Sequence, residues 1–255
     1  MKRSKFKTLI ISTCIAGLAI ALFMPVPVRA KTDKRTDQAI QTLLENRLKD
    51  HGILKNNNLQ VSVADDSIVV TGMVTTIADK MKVEKDAQKI AENYTIIDRL
   101  TLQPLKLTDQ QLLDQVVGKI KHNVFYSIFD WVTIGVTNGS VTLNGWVNEP
   151  WHRSLFEHQV EKVPGVTAID NKITILPVSI FDDEIRARAA KLIYDNSDFE
   201  PYAMVMNPDI HIIVDDGKVT LEGYVTSRYQ RNMAEYLINV DTNAMQIKNN
   251  LQIVS

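Results

Sequence analysis

Side chains suited to proton transfer or metal binding are present in this chain of 255 residues, but they are dispersed. Five histidines are spread along it, and the two nearest one another, His152 and His158, stand six apart on one expected helix. That spacing turns the two rings in different directions and does not aim them at one ion. Paired acids at Asp65-Asp66, Asp182-Asp183 and Asp215-Asp216 resemble catalytic carboxylates. Each pair, however, falls at an expected hairpin turn or helix start, where acids have ordinary local roles. No glycine-rich phosphate loop, HExxH helix, nucleophile elbow or zinc-spaced cysteine and histidine cluster occurs. The expectation is a non-enzyme that uses no cofactor and no metal.

Aromatic residues beside basic ones offer a different chemistry. Pro150-Trp151-His152-Arg153 corresponds to Arg228-Tyr229-Gln230-Arg231 at the start of two equivalent helices. An amphipathic ring next to a cation, with free backbone donors at a helix N-terminus, suits a phospholipid headgroup layer. Packing between neighbouring parts of the chain is the competing use of the same residues. A third equivalent helix has Ala78 at the aromatic position but carries Lys82, Lys85 and Lys89 on one side. On the strand before each helix, Trp146 and Tyr224 occupy the outward phase after Thr142 and Asn144 or Thr220 and Glu222, with Met73 in the first copy. A large apolar side chain there must be covered by something else or stay exposed. Contact between units is the favoured reading for these two.

The elements that position these residues recur. VTLNGWV (141–147) returns as VTLEGYV (219–225) and, more loosely, as IVVTGMV (68–74). Aligned on Gly72, Gly145 and Gly223, the copies match upstream at Val70/Leu143/Leu221, Ile68/Val141/Val219 and Val63/Val136/Val214. Downstream they match at Ile96/Ile169/Ile247, Leu100/Ile173/Leu251 and Leu102/Ile175/Ile253. Such a periodic set is the signature of repeated structural units.

Within each copy an amphipathic helix precedes two alternating strands joined by Asp65-Asp66, Asn138-Gly139 or Asp216-Gly217. The latter two pairs tolerate positive φ and make tight hairpins. A second helix and a third strand close the unit. Asp37 is the expected N-cap of the first helix and Gly52 its C-terminal stop; the later first helices are expected to start near Thr108 and Asp182. In the middle unit the run NVFYSIFDW, with Phe125, Tyr126, Phe129 and Trp131, is expected mostly in the core. In the third unit Phe199, Tyr202, Met204 and Met206 form either a protruding loop or core filling. The fold class is α+β: three tandem small units, each helix-strand-strand-helix-strand, with two helices on one face of a three-stranded sheet. Expected boundaries are 36–103, 108–177 and 181–255. Short linkers at Pro104 and Pro177 leave the units little freedom to separate.

The chain resembles the BON (bacterial osmotic-stress and nodulation) domain family of periplasmic osmotically inducible proteins. The resemblance rests on the element order, on the V-T-L-x-G-x-V strand after its turn, and on the hydrophobic-x-Asn endings Ile169-Asp170-Asn171 and Ile247-Lys248-Asn249. The first copy has Asp98 in place of the Asn. The resemblance implies membrane or partner binding in the envelope, under osmotic or envelope stress, and no catalytic residue set.

Residues 1–30 read as a secretory signal: a basic start, a long apolar run, and Val28-Arg29-Ala30 before an expected cleavage site. An uncleaved N-terminal membrane anchor is the alternative. Either reading places the repeats outside the cytoplasm, in the periplasm or secreted. The one cysteine, Cys14, lies in the apolar run, so the processed chain would form no disulfide. Removal of Lys2, Arg3, Lys5, Lys7 and Arg29 takes the formal charge from −1 to −6, which disfavours nucleic acid as a partner. The expected partner is a phospholipid membrane surface. The rival is an envelope protein held by open sheet faces and the Met-rich segment of the third unit.

Overall fold

The computed structural model describes residues 34–254; the expected signal segment lies outside the described residues. The first unit contains α1 (Lys34–Asp50), a one-turn α2 (Ile53–Asn56), β1 (Asn58–Ala64), β2 (Ser67–Val74), α3 (Ile77–Ile90) and β3 (Thr95–Leu102). The second contains α4 (Asp109–Lys121), β4 (Trp131–Thr137), β5 (Ser140–Val147), α5 (Pro150–Glu161) and β6 (Ala168–Ile175). The third contains α6 (Ile180–Tyr194), a 3-10 turn, a one-turn α7 (Glu200–Ala203), β7 (Ile210–Asp215), β8 (Lys218–Val225), α8 (Arg228–Asp241), β9 (Gln246–Asn249) and β10 (Gln252–Ile253).

The same sheet forms three times. An antiparallel hairpin is joined by a third strand parallel to the hairpin's second strand, which becomes central. The sequence register is the structural one: Ile96, Ile169 and Ile247 pair with Ile68, Val141 and Val219. In the third unit the last strand is interrupted around Asn250, whose N–H reaches the Leu221 carbonyl at 2.8 Å before pairing resumes at Tyr224.

Hairpin chemistry follows the turn residues. Asn138 and Gly139 have φ of 51° and 77°, Asp216 and Gly217 50° and 71°. Asp65 and Asp66 adopt 49° and 57° without a glycine. The glycine of each central strand is also required. At Gly145 φ is 117°, and a Cβ would stand 2.0 Å from the Trp131 carbonyl oxygen on the neighbouring strand.

Each unit buries its own core between two helices and the sheet. Leu44, Leu48, Val70 and Val83 lie in the first, Leu112, Val116, Leu143 and Phe156 in the second, and Ile185, Ile193, Leu221 and Ile238 in the third. Leu43, beside the buried Leu44 on α1, is 58% exposed. Helix starts correct the sequence reading. α1 begins at Lys34, so Asp37 sits inside its first turn, buried, and accepts a hydrogen bond from the Tyr94 hydroxyl at 2.9 Å. α6 begins at Ile180 under a Ser179 cap, whereas Thr108 caps α4 in a full capping box.

Asp182 is thereby released for another task. Buried at 1% exposure, its carboxylate accepts from the Asp216 and Gly217 amides at 3.2 and 2.8 Å. Asp109 does the same for Asn138 and Gly139 at 2.8 and 3.0 Å. The first turn of the first helix thus holds the hairpin turn in both units, which explains acids at these positions without catalysis.

The second and third units are joined through β7, whose two faces are both buried. Ile212 N–H donates to the Ile128 carbonyl at 2.7 Å, and Phe129 packs on the third unit's core. The stretch between α4 and β4 is therefore divided. Tyr126 enters its own core, Phe129 and Trp131 face the next unit, and Phe125 is half exposed. In the third unit Phe199 and Tyr202 are core, whereas Met204 and Met206 are exposed at 75% and 77%. The first unit meets the second through Ile77 at the start of α3, which packs on the second core.

Candidate surface-binding site

The residues that begin the second helix of each unit were the sequence candidates, and the structure separates them into different roles. Arg153 and Arg231 stand at the same place in α5 and α8 and reach across to the third strand of their own sheets. The Arg231 guanidinium donates to the carbonyls of Asn249 and Leu251 at 2.8 and 3.0 Å; that of Arg153 donates to the Asn171 carbonyl at 3.2 Å. The Asn of each strand returns the contact. Asn171 Nδ2 donates to the Arg153 carbonyl at 3.1 Å and to Glu157 Oε2 at 2.8 Å, while its Oδ1 accepts from Ile173 N. Asn249 repeats all three bonds with Arg231, Glu235 and Leu251.

In the first unit Lys80 and Asp98 take these places, paired at 2.8 Å, with Asp98 accepting from Leu100 N. Burial raises the Glu84 carboxyl above its ordinary range, with a hydrogen bond to Asp98 adding to it. For Asp98, burial opposes the shift, but bonds from Lys80, the Leu100 amide and Glu84 hold it below the ordinary range. The hydrophobic-x-Asn ending is therefore a clamp between second helix and third strand.

Tyr229 is 57% exposed, and its hydroxyl donates to Asp198 Oδ2 at 2.8 Å, tying α8 to the turn before α7. That bond raises the phenol above its ordinary value. Tyr224 lies at the junction with the second unit, 6.3 Å from the Trp131 ring and beneath Lys121 Nζ at 5.6 Å. Trp146 is half-buried opposite Trp131 in the β4–β5 ladder. Arg228 is exposed, as are Lys82, Lys85 and Lys89 along α3.

Trp151 differs from these. It is 46% exposed and packs edge-on against Phe125, with ring centroids 5.0 Å apart. Phe125 is itself 51% exposed and the adjoining Val124 68%. Three apolar side chains thus stand together in solvent at one end of the middle unit. Beneath them, His152 is buried 2.8 Å from Asp130, whose carboxylate also accepts from Ser127 and Asn148. Here Asp130 lies between the Ser127 hydroxyl and the imidazole, the reverse of a nucleophilic triad, in which histidine is the middle member.

Phe125 belongs to the run expected mostly in the core, and the structure instead leaves it and the neighbouring Val124 exposed. The signal that distinguishes them is their position directly after the α4 C-terminus, where the chain has left the helix face and not yet entered β4. Among the described residues no group of His, Cys, Asp and Glu has the geometry to hold a metal ion, and no helix is long and apolar enough to cross a membrane.

The fold and this surface define a tandem array of small α+β modules. The BON domain family model matches residues 36–104, 127–177 and 182–255, well over half of the chain. The chain belongs to the BON domain family. Among solved structures it is similar to the C-terminal domain of CdsD, the structural protein of the type III secretion system of Chlamydia trachomatis. That match has 12% identity and a TM-score of 0.25 over 88% of this chain and 99% of that one. It is also similar to the PrgH periplasmic domain, at 9% identity and a TM-score of 0.21 over 79% of this chain and 98% of that one. Likenesses at these scores bear on neither the arrangement of the units nor their role. No curated protein matches the chain.

Proposed function

We propose that this chain is a non-catalytic envelope protein that attaches peripherally to anionic phospholipid, with its middle unit making the contact. The observation that carries this reading is the exposed cluster of Val124, Phe125 and Trp151. An indole and a phenyl ring packed edge-on in solvent at a helix start are suited to the interfacial layer of a bilayer, where apolar area is removed from water without full insertion. A basic group lies close to it in sequence: Lys119 is in the last turn of α4, just before Val124. The exposed lysines of α3 add a second cationic face. Family membership and the signal expected in residues 1–30 support an envelope location. Arg153 and Arg231 enter this reading as structural clamps and not as headgroup ligands.

The test is co-sedimentation of the protein with neutral and phosphatidylglycerol-containing vesicles at low and high salt. Selective binding to the anionic vesicles, weakened by salt and reduced at least tenfold in Phe125→Ser/Trp151→Ala, is the expected result. Equal failure to bind both vesicle types would overturn it.

An envelope-protein adaptor is the second reading, favoured by the exposure of Met204, Val205 and Met206. Open sheet faces contribute less to it than the sequence implied, because His211 and Ile213 on the outer face of β7 are buried.

A further inference from the structure

His211 belongs to the third unit but is enclosed by the second. It is 3% exposed, its ring centroid is 5.1 Å from those of both Tyr126 and Trp131, and Nδ1 lies 3.2 Å from the Ser127 carbonyl oxygen. The next residue, Ile212, makes the backbone bond to Ile128 that joins the units. The neutral ring donates Nδ1–H to Ser127 and fills the junction between two aromatic faces.

Most of the charged and titratable groups around it are engaged elsewhere. From α4, Lys121 pairs with Asp209 at 3.7 Å and covers Tyr224. From the segment before β4, the Asp130 carboxylate accepts from Ser127 and Asn148, with His152 Nδ1 2.8 Å away. Glu222 is directly across the β7–β8 ladder, but it accepts from Asn250 Nδ2 at 2.6 Å. His122 and Asp209 line the cleft of about 300 Å³ into which this junction opens, together with Val205 and Met206. Among the described residues no carboxylate forms an ion pair with His211.

We propose that His211 makes the docking of the second and third units pH-dependent: the neutral ring holds them together and the protonated ring separates them. A second ring proton puts a buried, desolvated charge next to Lys121, with no acid paired to it. Burial depresses the imidazole to about 4; the Ser127 and Asp130 backbones oppose this, and the Lys121 charge adds to it. Undocked, the ring returns to water and to an ordinary pKa of about 6.5. Because the docked value is the lower one, docking is at full strength above about pH 6.5 and weakens as pH falls toward 4. The docking equilibrium loses on the order of a hundredfold across that window.

The test uses the full chain and no lipid, so it stands apart from the membrane reading. Small-angle scattering is followed from pH 7.5 to 4 for wild type and His211→Gln, whose amide keeps a donor for Ser127 but does not titrate. Wild type is expected to expand as pH falls below about 6, and His211→Gln to stay compact to lower pH. The His211 imidazole is titrated by NMR in wild type alongside. Joint expansion of both proteins at the same pH, or an imidazole titrating at or above 6.5, would overturn the proposal. Should His211→Gln be expanded already at pH 7.5, the wild-type titration decides.

Discussion

Asn171 and Asn249 each make three hydrogen bonds that tie a second helix to a third strand. Truncating either leaves a helix carbonyl and a glutamate without their donor and a strand amide without its acceptor. Asn171→Ala is expected to lower the stability of the middle unit by about 1–3 kcal/mol, read from urea unfolding. Arg153→Ala should also lower stability while leaving vesicle binding nearly unchanged, and Trp151→Ala should do the opposite. That crossed pattern separates the clamp from the contact surface, and the reverse outcome would return Arg153 to the site. Asp182→Ala removes the acceptor of two turn amides, and a loss of about 2–4 kcal/mol is expected in the unfolding of the third unit. The sequence shows these residues but not their partners, because apart from the strand amide two positions on, the bonded groups lie 14 to 35 positions apart.

Among the elements, the hairpins are the most legible. Asn-Gly and Asp-Gly between alternating strands announce tight turns, and positive φ at Asn138, Gly139, Asp216 and Gly217 follows. The central-strand glycine is also legible as a close approach, though the approaching group, a carbonyl of the first strand, is a matter of register. Gly145→Ala places a Cβ 2.0 Å from the Trp131 oxygen at φ 117°. A loss of about 3 kcal/mol or more is expected, measured as a lowered midpoint of thermal unfolding. Helix starts are less legible, since Asp37 and Asp182 have the composition of caps and yet lie within the first turn of their helices. A carboxylate near a helix start is favourable over the whole first turn, so composition does not single out one position.

For the molecule as a whole, three small cores are held in series, with a junction between the second and third units built from Phe129, Trp131, His211, Ile213 and Tyr224. Phe129 crosses from the second unit to pack on the third unit's core. Phe129→Ala is expected to expand the protein in small-angle scattering at pH 7.5 while the middle unit keeps its own unfolding midpoint. No change in dimensions would show that the docking rests elsewhere. The aromatic residues of NVFYSIFDW give no warning of this division in sequence. Four rings within seven positions are equally consistent with core, junction and surface, and only the path of the backbone between α4 and β4 assigns each one.

The sequence by itself determined the three units, their element order, the strand register and the turns, because these depend on period and local backbone preference, which a linear string records directly. Tertiary structure alone decided which polar side chains are clamps, which aromatics face solvent and that a histidine of one unit is sealed by another. Those facts depend on what lies opposite each residue across a sheet edge or a helix face, and residues brought together that way carry no mark of it in their spacing along the chain.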